Sequence, residues 1–330
     1  QLKKDHLKSK LNSIIEIRVK QPSTYQLRTR FDFTISDKAM GLYSKDRELI
    51  DLNSCALLHP ELEKAFVFLR EFIAKNPLFI EKGSLRIRIN PALDQWGLWI
   101  DFSNIDIKRL LDEKTILMKL SENFIIEIGQ KKKRLSIESF NQSQLKLTDP
   151  KPENWFKTLD DELLCSISSF TQPAPETADL LTNEILQWVS NIQPQRVIEY
   201  GCGIGQYSLP LLKLGMNLDV FENDLLAIDY LKINTEKYNS KLSINDLSRV
   251  SLKTEKTIAL VNPPRSGLQK FSQNLIESNA SHIIYISCFP DSLSSDLLTL
   301  KPYFKLQDVV MVDQFPRTHH YEAAVLLQRI

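Results

Sequence analysis

Four short, nearly continuous apolar runs constrain this chain more than any other feature. "RVIEY" (196–200), "NLDVF" (217–221), "TIALV" (257–261) and "HIIYIS" (282–287) are each strand-length and are separated by helical stretches. Strands that are apolar on both faces need cover on both sides, so the second half is predicted to be a doubly wound α/β domain. The closing runs "FKLQDVVMV" and "YEAAVLLQ" leave no room for a helix between them, so they are predicted to pair antiparallel. The first half has a different texture. "SLRIRIN" and "GLWIDF" alternate apolar and polar residues around a Pro91 to Gly97 connection, as a hairpin does. "NFIIEIGQKKKRLSIESF" reads as a second hairpin, and "LHPELEKAFVFLREFIAK" has the spacing of a covering helix. The prolines of "LTDPKPENW" mark the boundary. The expected organisation is a smaller α+β domain over 1–152 and a Rossmann-like domain, mostly parallel with an antiparallel last strand, over 153–330.

With 42% hydrophobic and 25% charged residues in 330, the composition is that of a soluble globule with room for two domains. A net charge of +1 excludes a globally basic nucleic-acid binder, but charge is uneven. Between Gln1 and Phe31, Lys3, Lys4, Lys8, Lys10, Arg18, Lys20, Arg28 and Arg30 face only Asp5 and Glu16. Such an excess is either a solvated face or a phosphate contact, and the run Lys131–Arg134 carries the same two readings. Cys55, Cys165, Cys202 and Cys288 form no C-x-x-C, which excludes a zinc ribbon and a disulfide framework and points to a reducing, cytoplasmic setting. No run has the length of a membrane span, and no signal peptide is expected.

"VIEYGCGIGQYSLPLL" sets Gly201, Gly203 and Gly205 between a strand and a helix, where backbone approaches a ligand closely. A dinucleotide site wants G-x-G-x-x-G, but Gln206 stands at the third glycine. The G-x-G-x-G form, with Glu199 before it and Glu222 ending the next strand, suits S-adenosylmethionine, the second carboxylate facing its ribose. "NPPRSGL" follows "TIALV" at the edge where substrate meets cofactor. Arg265 occupies the place where amino-group methyltransferases carry a base-stacking aromatic, which argues against exocyclic-amine chemistry. Cys288, in "YISCFPDSLSSDL", ends a buried strand just before a helix; it is either a small hydrophobe or a nucleophile whose pKa the helix lowers.

Four segments together resemble the RNA 5-methyluridine methyltransferases that act on transfer or ribosomal RNA. "SFTQ" resembles that family's F-x-Q, "NPPRSGL" its D-P-P-R-x-G-L, "YISCFP" its V-S-C-N-P, and "DQFPRTHHYE" its D-x-F-P-x-T-x-H-x-E. "YQLRTRFDF", "MGLY" and "IDLNSCALLHPEL" resemble its central domain. "QLKKDHLKSKL" resembles the helix that follows an iron–sulfur cluster in many relatives, although no cluster cysteines stand in these residues. The resemblance implies a nucleophile at Cys288, a general base at Glu322, and cofactor contacts from Gln172, Gly201, Gly203, Gly205, Gln206, Glu222, Asp246 and Asn262. It further implies a tRNA or rRNA partner contacted by Arg28, Arg30 and Arg265, no metal, no membrane, and a monomer; His320 is given no proton. Carbon 5 of uracil is a poor nucleophile until a thiolate adds to carbon 6, after which a base must remove the carbon-5 proton. Three positions depart from the family: Asn262 for aspartate, Phe289 for asparagine after the cysteine, and Ala174. They leave open a silent RNA-binding homologue or a cytosine carbon-5 enzyme.

Overall fold

The structure, a computed structural model, describes residues 1–11, 15–24, 28–37, 39–44, 46–76, 82–101, 112–130, 133–139, 145–245, 257–315, 318 and 320–330. The chain forms two compact units, Thr24–Pro175 and Gln1–Ser23 with Glu176–Ile330. This differs from the division expected at 152. The first residues, helix α1 (Leu2–Leu11) and strand β1 (Ile17–Lys20), belong with the second half, where β1 pairs parallel with a late strand and Leu7 and Ile17 are buried. The apolar content of these two elements decides the matter, not the basic residues around it.

In the unit Thr24–Pro175, strands β2 (Arg30–Ser36), β3 (Ala39–Tyr43) and β4 (Leu49–Asp51) precede helix α2 (Pro60–Lys75). Then come β5 (Lys82–Ile89), β6 (Trp96–Asp101), α3 (Lys114–Ser121), β7 (Phe124–Gln130), β8 (Lys133–Ser139) and β9 (Leu145–Thr148). Among the described residues they form an eight-stranded sheet ordered β4-β3-β2-β5-β6-β7-β8-β9. Both expected hairpins are present, β5 with β6 and β7 with β8. The β6–β7 pair is parallel, which the intervening α3 allows. Helix α2 buries Leu62, Phe66, Leu69 and Ile73 at helical spacing, and Phe66 meets Phe31 edge-on with ring centres 5.4 Å apart. Hairpin β10 (Glu153–Thr158) and β11 (Asp161–Cys165) completes this unit; Trp155 and Phe156 are buried, which carries the seam past the proline-rich stretch.

The other unit continues with α4 (Pro175–Ile192), β12 (Arg196–Tyr200), α5 (Ser208–Lys213), β13 (Leu218–Phe221), α6 (Leu225–Asn234) and β14 (Leu242–Asn245). After it come β15 (Thr257–Val261), α7 (Phe271–Glu277), β16 (Ala280–Ser287), α8 (Pro290–Leu300), β17 (Phe304–Val312) and β18 (Glu322–Arg329). The eight strands order as β1-β17-β18-β16-β15-β12-β13-β14. Pairings are parallel except where β18 runs against β16 and β17. Two buried clusters flank the sheet, one around Ile283, Tyr285 and Val325, the other around Ile258, Leu260 and Val310. Because β13 is added on one side of β12 and β15 and β16 on the other, the winding reverses there and a switch point opens at the carboxyl end of β12. Among the described residues no helix is long and apolar enough to cross a membrane.

Candidate active site

The glycine loop leaves β12 at that switch point. Gly201, Gly203 and Gly205 have φ of +73°, +55° and +99°, backbone that side chains rarely adopt. Their roles differ. A Cβ on Gly201 would stand 3.1 Å from the Asn262 carbonyl, and one on Gly205 would stand 2.9 Å from Leu231 of α6, so both serve close packing. A Cβ on Gly203 would meet nothing within 4 Å, which leaves an open face of backbone. Glu222, just past β13, closes the loop: Gly203 N donates to its Oε2 at 2.9 Å, while Asn223 N and Asp224 N donate to Oε1. Asn262 follows β15 and donates its own N–H to Tyr200 O at 3.3 Å.

The polar groups here fit a cationic ligand. Glu199 is 1% exposed, and burial, aided by the charge of Glu222, pushes its carboxyl up to about 8. Ser208 donates to its Oε2 at 2.6 Å, while Oε1 is buried with no partner among the described residues, as is Gln206 Nε2. The Glu222 carboxylate, the unpartnered Glu199 Oε1 and Gln206 Nε2, and an open glycine face match the hydrogen-bonding needs of S-adenosylmethionine, and a cation bound there would draw Glu199 toward its ionised form. Cys202 is buried and its thiol is pushed up, as befits a small packing residue. Among the described residues no cluster of histidine, cysteine and carboxylate side chains suits a metal. Asp246 lies outside the described residues, as do Lys131 and Lys132. Gln172 is buried, and it falls in the unit Thr24–Pro175.

The antiparallel last strand brings the remaining groups to the same edge. The β16–β18 pairing ends with Ser287 opposite Ala323; Cys288, in the bend just past β16, and Glu322, the first residue of β18, are the next residues on the two strands, and the charge of Glu322 acts on Cys288. A parallel β18 would have sent Glu322 to the far end of the sheet. Glu322 is 5% exposed, and burial pushes its carboxyl up to about 8 against a lowering pull from Arg265. Gln314 Nε2 donates to Glu322 Oε1 at 3.2 Å, and Thr177 Oγ1 donates to Gln314 Oε1 at 2.7 Å. The Thr177 hydroxyl therefore fixes which end of the Gln314 amide faces the carboxylate. Sequence reasoning missed both residues, since neither type at that spacing carries a chemical signal of its own.

Cys288 is half-buried beside α8. Contrary to the expectation from the helix, its thiol is pushed up: burial and the Glu322 charge outweigh a hydrogen bond and charge from Arg265. Arg265 is exposed and acts on both Cys288 and Glu322. Its loop is pinned by Asp296, whose Oδ2 accepts from Leu268 N at 2.8 Å and from the Tyr285 hydroxyl at 2.6 Å. A Cβ on Gly267, at φ +77°, would stand 2.6 Å from that oxygen.

The basic residues near the start of the chain are largely consumed by the fold. Lys3 pairs with Asp313, Lys10 with Asp291, Arg18 with Glu184 and Asp308, and Lys20 with Glu184. Arg30 is 7% exposed, bonded to Thr171 O and paired with Asp32, and burial depresses its guanidinium to about 9. It is a structural cation rather than the expected phosphate contact. With Arg86 and Arg88, which bond the Ser166, Ser168 and Ser169 carbonyls, it clamps the segment before Gln172. Arg28 is half-buried beside Cys55, and burial lowers its pKa as well.

The chain is similar to known proteins. The family model described as tRNA (uracil-5-)-methyltransferase matches residues 217–330, the last third of the chain, which holds Cys288 and Glu322. An uncharacterized RNA methyltransferase of Bdellovibrio bacteriovorus is 36% identical over 324 residues, spanning 92% of this chain and 81% of that one. The chain belongs to the S-adenosylmethionine-dependent RNA (uracil-5-)-methyltransferase family. A second relative, the 23S rRNA (uracil(1939)-C(5))-methyltransferase RlmD of Shewanella halifaxensis, is 24% identical over 92% of this chain and 68% of its own. The solved Pyrococcus abyssi tRNA (uracil-54, C5)-methyltransferase, in complex with S-adenosyl-L-homocysteine, shares the fold. It has a TM-score of 0.70 and 21% identity, over 98% of this chain and 81% of that one.

Proposed function

We propose that this chain methylates carbon 5 of a uridine in tRNA or rRNA through a covalent adduct on Cys288, with Glu322 as the base. The observation that supports the reading is the antiparallel β16–β18 pairing, which brings the end of β16 beside the start of β18 at the edge that holds the glycine loop, so that the Glu322 charge acts on Cys288 and Arg265 acts on both. Glu199, Gly203, Gln206, Glu222 and Asn262 would hold S-adenosylmethionine, which supplies an electrophilic methyl group when bound. Cys288 adds to carbon 6, and the ring π electrons move toward carbon 5, which takes the methyl group. Glu322 then accepts the carbon-5 proton; the carbon 5–carbon 6 double bond reforms and the thiolate leaves. A carboxyl raised to about 8 is a stronger base than an ordinary glutamate, as removal of a carbon-bound proton requires. The two anions do not compete, because addition consumes the thiolate before the carboxylate acts. Arg265 supports the thiolate while it lasts. The four free cysteines support a reducing, cytoplasmic setting. Mass analysis of RNA nucleosides from cells with and without the gene tests the reading. Loss of 5-methyluridine is expected; loss of 5-methylcytidine would move the target to cytosine, and no change would favour the silent homologue.

A further inference from the structure

Helix α1 was singled out by its sequence but has no part in the chemistry above. Its Lys3 is nevertheless fully engaged, with its side chain only 15% exposed. The ammonium donates to Asp313 Oδ1 at 2.5 Å, Phe315 O at 2.7 Å and His320 O at 2.9 Å, which accounts for all three of its donors. Those acceptors lie in the connection from Val312, the end of β17, to Glu322, the first residue of β18. One acceptor is its first residue, one its third, and one stands two residues before Glu322. On the same helix, His6 Nδ1 and the Tyr321 hydroxyl are hydrogen-bonded at 3.0 Å, and Tyr321, next to Glu322, is fully buried.

The helix is itself anchored. Leu7 is fully buried in one cluster with Leu293 and Tyr321. The Ser294 hydroxyl donates to Lys10 O at 2.7 Å, and Lys10 pairs with Asp291. An anchored helix that grips both ends of a connection removes conformational freedom that the connection would otherwise retain, at a cost met by charge-assisted bonds. The residue delivered by that connection is the carboxylate that must meet one proton.

We propose that Lys3 is a positioning residue for the reaction, tying the β17–β18 connection so that Glu322 is held where it can take the carbon-5 proton. This rests on the reading of Glu322 as the base. Lys3 touches no reacting atom, so its loss should slow elimination while leaving addition and methyl transfer in place.

The test uses the full chain, S-adenosylmethionine and total RNA from cells lacking the gene. Lys3→Met should lower turnover by about 10–100-fold, the range for a displaced catalytic group, with KM for RNA within about twofold of wild type. A denaturant-resistant, methylated protein–RNA adduct should build up in this variant. Asp313→Asn, which removes the charge from one of the three acceptors, should move turnover and adduct the same way by less and carries the test if Lys3→Met does not fold. Lys3→Arg should recover part of the rate. Lys10→Met, which loosens the same helix but not the grip, should accumulate no adduct. Wild-type turnover in Lys3→Met and Asp313→Asn, or slow turnover without adduct, overturns the proposal. Glu322→Gln is run alongside. If it traps adduct and Lys3→Met does not, only the Lys3 role fails; if Glu322→Gln itself traps none, the base assignment fails and the Lys3 role falls with it.

Discussion

Replacing Gln314 by leucine removes the amide that donates to Glu322 Oε1 in a fully packed site, where Gln314 is 2% and Glu322 5% exposed. A hydrogen bond to a charged group contributes about 1.5–3 kcal/mol. Here it favours the ionised carboxylate over the neutral acid, whose carbonyl still accepts but more weakly, so its loss should raise the Glu322 pKa, by up to about 1–2 units, above the burial-raised value near 8. The groups that face Glu322 otherwise are Arg265, whose pull remains, and Cys288. The sign follows from the role: the base must be ionised, so rate is present above its pKa and is lost as pH falls through it. Because Cys288 also titrates, the clean assay is the decay of preformed adduct in rapid quench between pH 6 and 10, when the thiolate is already spent. The acid limb of that decay should move to higher pH by up to about 1–2 units in Gln314→Leu. Thr177→Val, which leaves the amide free to turn over, should move it the same way by less. A limb that stays in place or moves down would refute the claim that Gln314 supports the ionised base.

Glu322→Gln should stabilise the protein most at high pH. The folded carboxyl titrates near 8 against an ordinary 4.5, so stability from this group is full below pH 4.5 and is lost as pH rises through 8. The ceiling is roughly 5 kcal/mol; a melting-temperature gain that does not grow from pH 6 to pH 9 would contradict the burial argument. Gly203→Ala should fold with a loss of about 1–2 kcal/mol, since the left-handed backbone is strained but the space is open. Calorimetry should nevertheless show S-adenosylmethionine binding weakened about tenfold or more, equivalent to ~1.4 kcal/mol; unchanged affinity would remove the open glycine face from the site. Gly267→Ala should be the harsher change, because its methyl meets the Asp296 carboxylate that pins the Arg265 loop. Thermal unfolding and turnover should both suffer, whereas intact turnover would show that the loop tolerates displacement.

The sequence was most legible where chemistry restricts residue choice. "RVIEY", "NLDVF", "TIALV" and "HIIYIS" are strands β12, β13, β15 and β16, because a doubly covered strand has little alternative to β-branched and apolar residues. Gly203 and Glu222 meet at one loop, and Glu322 comes to the edge where its charge acts on Cys288, because the reversed last strand was visible as two strands too close for a crossover. Charge was poorly legible. Arg30 and Lys3 read as a basic excess, yet both are spent on acceptors distant in sequence, Thr171 and Asp313, and only folding reveals such partners. Thr177 and Gln314 were invisible for the same reason: their importance lies in a hydrogen-bond chain assembled from a helix and a loop far apart in the chain. The thiol of Cys288 shows a third limit, since the helix after it was readable but the carboxylate acting on it was an energetic fact of the pairing.

The most direct measurement of the covalent mechanism is intact mass analysis, under denaturing conditions, of Glu322→Gln incubated with S-adenosylmethionine and RNA from cells lacking the gene. Addition and methyl transfer need no proton removed from carbon 5, so the variant should carry RNA on its Cys288-containing peptide, and the attached uridine should bear one extra methyl group. The same incubation with Cys288→Ala,Glu322→Gln should give no adduct. Full turnover by Cys288→Ala, or an adduct that persists in the double variant, would contradict the assignment of Cys288 as nucleophile.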